Sequence, residues 1–164
     1  MKTIGRIAVL ASAIMLARVF PADAAIDCPQ GHAVYQDSSG KFELLFQPKT
    51  PETDNTIELV ELATDARFGG TIKWNMGFAV PNVRIDYPCG SGADDNQCHY
   101  QAVVYALAIG NGRLGAAPML PADDEQAIDT LLLPDLSRHW HYNVKAQTNA
   151  IPDDVFRLTR CHQS

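Results

Sequence analysis

The chain has 164 residues, a formal net charge of −6 and 46% hydrophobic residues. It shows no internal repeat, coiled-coil heptad, second long apolar span or low-complexity tail. The excess of acid argues against partners that present phosphate, whether nucleic acid or an anionic lipid surface.

Residues 1–24 carry Lys2 and Arg6, an apolar run from Ile7 to Ala17, and a small-residue stretch ending in Ala22-Asp23-Ala24. Basic, apolar and small-residue regions in that order describe a secretory signal peptide with cleavage expected after Ala24. Arg18 interrupts the run before the roughly 20 apolar residues that a membrane span needs. Asp27 stands where a lipid-anchor motif ahead of Cys28 would require a small residue. Cleavage takes the basic count from 13 to 10 and the acidic count from 19 to 18, leaving a net charge of −8. The expectation is a single periplasmic or secreted domain over 25–164, not embedded in a membrane, for which a cationic partner is electrostatically easiest.

From residue 31 to 109 the hydrophobic pattern has period two with turn punctuation, which predicts short antiparallel strands. HAVYQD (32–37) and KFELLFQP (41–48), separated by SSG, read as a hairpin. NTIELVEL (55–62), GGTIKWNMG (69–77) and VPNVRIDYP (80–88) continue the alternation. CHYQAVVYALAIG (98–110) reads as one long central strand. The Gly- and Pro-rich stretch after it is a connection, and DDEQAIDTLLL (123–133) reads as a helix, its first-turn acids favoured by the helix dipole and Pro134 setting its end. LSRHWHYNVK (136–145) fits either a strand or a short helical turn, and DDVFRLTRC (153–161) reads as a final strand. The sum is a mainly β domain, an antiparallel sandwich or barrel of about seven strands with one short helix near residues 123–133.

The four cysteines of an exported chain imply two disulfides. Three connectivities are open, and position favours Cys89–Cys98 across a short polar loop with Cys28–Cys161 joining the ends of the domain. Neither pair has the C-x-x-C spacing of a redox dithiol, and the four lack the close pairs of a structural zinc site. Asp94, Asp95 and Asn96 are adjacent rather than alternating, with no following Gly and Glu, so they suit a turn better than a calcium loop.

His139 and His141 are the candidate metal ligands. In a strand both project from one face, with Trp140 behind, and a third ligand would come from His32, His99 or His162. In a helix the same spacing sends them to nearly opposite sides. No G-x-S-x-G elbow supports Ser91 of CGSG as a nucleophile. A carboxylate pair converging from separate strands would leave no linear motif. Trp74, Phe78, Trp140 and Tyr142 suit core positions or an aromatic ligand patch, and 47–56 is a long polar turn.

No cofactor motif is present, so no cofactor or catalytic residue is assigned. The leading expectation is an exported, non-catalytic binding or accessory domain recognising a protein or cell-envelope component. The alternatives are an inhibitor of a cationic secreted enzyme such as a lysozyme, a periplasmic transition-metal-binding protein using His139 and His141, and a small hydrolase.

Overall fold

The computed structural model describes residues 26–49, 56–74, 81–89, 98–110, 113–116, 120–144 and 148–162. The expected signal segment, Phe78, Ser91 and the Asp94-Asp95-Asn96 turn lie outside these residues. Among the described residues the strands are β1 (Ala33–Asp37), β2 (Phe42–Gln47), β3 (Thr56–Glu61), β4 (Ala66–Trp74), β5 (Pro81–Asp86), β6 (His99–Val103), β7 (Tyr105–Gly110), β8 (Arg113–Ala116), β9 (Thr130–Leu132) and β10 (Val155–Cys161). All pairings are antiparallel, and the strands form one sheet in the order β6-β5-β4-β3-β2-β1-β10-β9-β7-β8.

That order nearly closes the sheet into a barrel. β6 stands at one end, yet its direct continuation, β7, lies next to last at the other. The stretch 99–110 is therefore two strands rather than the expected one. Its first half pairs with β5 and its second with β9 and β8, and the change of partner falls at buried Val104, whose N–H donates to the Pro81 carbonyl (2.9 Å). Period-two alternation runs unbroken through this point, so the hydrophobic pattern carries no mark of it. Curvature elsewhere has local causes. A Cβ on Gly70 would strike the Arg84 carbonyl oxygen of the neighbouring strand, so only glycine lets β4 and β5 approach this closely. The β1–β10 register slips between Val34 and Tyr35, a bulge of the kind that sharpens twist.

The expected helix at 123–133 is not there. Carbonyls that would have closed helical turns are bonded across to the chain ahead of β1: Asp123 O accepts from Gly31 N–H (2.9 Å) and Glu125 O from Gln30 N–H (2.8 Å). The following leucines enter β9 in the sheet. The short helix of the fold is α1 (Leu136–Asn143). Leu136, Trp140 and Val144, four residues apart, are its buried stripe. Asp135 precedes it in a left-handed conformation (φ 62°) and does not cap it. The cap comes from further along the chain, where the Asp154 carboxylate accepts from Ser137 N–H (2.8 Å) and Asp135 N–H (3.2 Å).

Inward residues fill the barrel in rows across the strands. One row is Tyr35, Leu44, Leu59 and Phe68; another is Phe46, Ile57, Gly70, Ile85 and Tyr100. α1 plugs the end where β1, β3, β5 and β9 finish. Trp140, fully buried, meets the edges of Phe68 (ring centroids 4.8 Å), Phe42 (6.0 Å) and Tyr87 (6.2 Å), and its Nε1–H donates to Thr148 Oγ1 (3.1 Å). Two buried carboxylates fasten the plug. Asp37 accepts from Lys41 and Phe42 N–H in its own hairpin and from Asp153 N–H (3.1 Å) ahead of β10. Glu61 accepts from Thr64 Oγ1–H (2.6 Å) and from Asn149 N–H (2.9 Å) beyond the helix.

Both disulfides form as position favoured, Cys28–Cys161 with Cα atoms 5.6 Å apart and Cys89–Cys98 with 5.3 Å. The first ties the segment before β1 to the end of its sheet neighbour β10. The second joins the chain leaving β5 to the chain entering β6. Their sequence separations, 133 and 9 residues, correspond to loop-closure contributions of about 5 and about 2.7 kcal/mol.

Two predictions follow from this packing. Trp140→Ala is expected to lower the unfolding free energy by about 3–5 kcal/mol in urea titrations, whereas a loss below about 1 kcal/mol would mean the helix is not a plug. Removing Cys28–Cys161 by paired alanines is expected to reduce the thermal midpoint more than removing Cys89–Cys98, and the opposite ranking would contradict the loop-length account.

Candidate functional site

Among the described residues the barrel's seam is incomplete along β6, and the gap makes the site. Tyr87 N–H donates to Cys98 O (3.0 Å) and Val104 N–H to Pro81 O (2.9 Å), which marks both as hydrogen-bonded positions of the β5–β6 ladder. Antiparallel alternation then assigns Tyr100 and Ala102 to β5 and turns the amides and carbonyls of His99, Gln101 and Val103 the other way. On that side β9 pairs with β7 only at 105–107. Pro134, which has no N–H to offer a ladder, and left-handed Asp135 then swing the chain into α1. Tyr100 O–H donates to the Pro134 carbonyl (2.7 Å) and anchors that departure.

A groove of about 520 Å³ remains between β6 and α1. Its helical wall is a second stripe of α1, comprising Arg138, His139, Tyr142 and Asn143, with Asp135 just ahead of the helix, beside the stripe that enters the barrel. Arg138 Nε is ion-paired with Asp135 (3.2 Å) at the rim. Tyr142 is 77% exposed and Tyr105 43% exposed, two large rings left in solvent at the groove mouth.

His139 sits deeper, between Tyr87 and Tyr100, with ring centroids 5.7 and 5.5 Å away. Its Nε2 is 2.9 Å from the Tyr87 hydroxyl. Burial pushes the imidazole below its ordinary value of 6.5, and the nearby His99 and Arg138 push the same way. Burial also holds both phenols above their usual range. A neutral His139 can accept the Tyr87 O–H at Nε2. Among the described residues, the groove's lining includes no serine or thiol, and its buried hydroxyls are protonated phenols, poor nucleophiles in that form.

The helix separates the two candidate metal ligands. Residues two apart on an α-helix lie about 200° apart around its axis, so His139 faces the groove while exposed His141 lies edge-on to Tyr142 (4.9 Å) on another side. The one-faced pair expected of a strand is therefore not formed. His139 instead has His99 for a neighbour, while His32 and His162 meet at the far clasp with centroids 5.5 Å apart and His162 Nε2 2.6 Å from the Phe46 carbonyl. Among the described residues, no three His, Cys, Asp or Glu side chains are placed to hold a metal ion together. Of the aromatics read as a patch, Trp140 is core, Tyr142 lines the groove, and the Trp74 side chain and Phe78 lie outside the described residues. Tyr87, Tyr100, Tyr105 and Gln101 were not singled out by sequence. Only the break at Val104 makes 99–103 an edge, and that break has no local signature.

Comparison with family models, curated proteins and solved structures returned no match.

The depressed His139 pKa has a definite sign. The unfolded chain takes up this proton near pH 6.5 and the folded chain only at lower pH, so stability is full above about 6.5 and falls as pH drops through the window below it. His139→Asn is expected to lose less unfolding free energy than the parent between pH 7.5 and 5 in matched urea titrations. An identical loss in both proteins would remove His139 from that account.

Proposed function

We propose that this chain is an exported, non-catalytic binding module that recognises a protein or cell-envelope component through the groove between β6 and α1. The observation carrying this reading is the pairing of a rigid wall with exposed rings. The barrel interior is filled by its own side chains, while Tyr105 and Tyr142 stand in solvent beside an open groove in the size range of ligand sites, about 300–1,000 Å³. Tyrosine, with an apolar ring and a polar tip, is enriched where proteins bind. Two formed disulfides and the signal-like first 24 residues support an oxidising, extracytoplasmic location. The net charge of −6 favours a second reading, in which the partner is a cationic secreted enzyme such as a lysozyme and the domain inhibits it.

Replacing Tyr142 by a photo-crosslinking phenylalanine is expected to give a discrete adduct in source-cell extracts. The same replacement at exposed Leu62, on the β3–β4 turn, is expected to give none. No adduct at 142, or equal labelling at both positions, would reject the groove as the recognition surface. For a cationic enzyme partner the adduct fades as salt rises from about 0.1 to 1 M and the Debye length shrinks from about 10 to 3 Å; a salt-independent adduct rejects that second reading.

A further inference from the structure

The edge of β6 left unpaired among the described residues carries a more specific inference. We propose that the groove takes its partner as an added β-strand: a short, extended, positively charged segment of another polypeptide, hydrogen-bonded to β6 in line with β9. This rests on the groove being the recognition surface and specifies what enters it.

Three observations converge. First, alternation against β5 turns the amides and carbonyls of His99, Gln101 and Val103 away from that strand, Gln101 and Val103 line the groove, and no partner takes these groups among the described residues. Such a comb repeats about every 6.8 Å and matches only another extended backbone. Second, this edge continues the one already used by β9. Residues 105–107 of the same run are paired with β9, and a strand along 99–103 would occupy the line β9 leaves at Pro134. The partner thus completes an existing ladder. Third, β6 itself carries none of the lysine, proline or bulge devices that blunt a strand edge: it reads His-Tyr-Gln-Ala-Val with unbroken register against β5. α1 flanks the groove, with Arg138 and Tyr142 among its lining residues.

Charge selects between occupants. Two copies of a chain with net charge −6 repel each other, while a basic segment approaches down the potential. The partner is accordingly a lysine- or arginine-bearing stretch of a different protein.

The test uses the mature disulfide-bonded chain and a seven-residue peptide of alternating lysine and valine, followed by amide NMR and fluorescence anisotropy. The peptide is expected to shift and protect the amides of His99, Gln101 and Val103 while leaving Tyr100 and Ala102 unchanged. N-methylating one alternate set of peptide amides is expected to weaken binding about tenfold or more, and methylating the other set to change it less than about twofold. A glutamate-for-lysine peptide is expected to bind about tenfold more weakly at low salt. Contact with Tyr142 and Arg138 that neither N-methyl set alters would overturn strand addition and leave the groove as a binding surface. No perturbation of the groove would overturn strand addition, with the crosslink at position 142 then judging the broader reading separately. Equal binding of the acidic and basic peptides would overturn the charge assignment.

Discussion

The burial of Trp140 is the contact on which this architecture depends. The interior of this nearly closed sheet is filled by its own side chains, but its ends must still be closed against water. Here one end is closed by a single indole, supplied by a helix of eight residues and met edge-on by aromatic rings from β2, β4 and the end of β5. Isolated helices this short do not hold their own shape in water. α1 persists because its buried stripe is inside the barrel and because Asp154, from beyond its C-terminus, caps its N-terminus.

The same placement creates the groove. β9 ends after three residues, the chain turns at Pro134 and Asp135, and α1 follows with Trp140 in the barrel end, so the far edge of β6 faces a helix instead of a strand. Closure of the barrel end and incompleteness of the seam are two results of one chain path. Asp37 and Glu61 hold that path by accepting backbone N–H groups from segments more than 80 residues away in sequence, which is how buried carboxylates avoid standing uncompensated. Tyr100 belongs to both regions, its ring packed in the barrel and its hydroxyl fastening the turn at Pro134.

His139 is held towards its neutral form by burial and by two neighbouring cationic or ionisable groups, and its hydrogen-bonding neighbour is a phenol that burial keeps protonated. That arrangement orders a wall. At its mouth stand two exposed tyrosine rings and the Asp135–Arg138 ion pair.

What the sequence determined by itself was whatever depends on neighbours along the chain. Alternation located β1 to β5 and β10 within a few residues, because a half-buried strand must alternate. Cysteine positions favoured the pairing, because Cys89 and Cys98 are near in sequence and Cys28 and Cys161 bound the domain. What only the tertiary structure decided was whatever depends on partners distant in sequence. The acids of 123–133 look like a helix start, but carbonyls in that segment are taken by Gln30 and Gly31. Residues 136–145 had no local preference, and the barrel end selected the helix, which in turn parted His139 from His141. The edge at His99, Gln101 and Val103 exists only because 99–110 changes partners at Val104. Period two records which face of a strand is buried, and it carries no information about which of the strand's two edges is left unpaired.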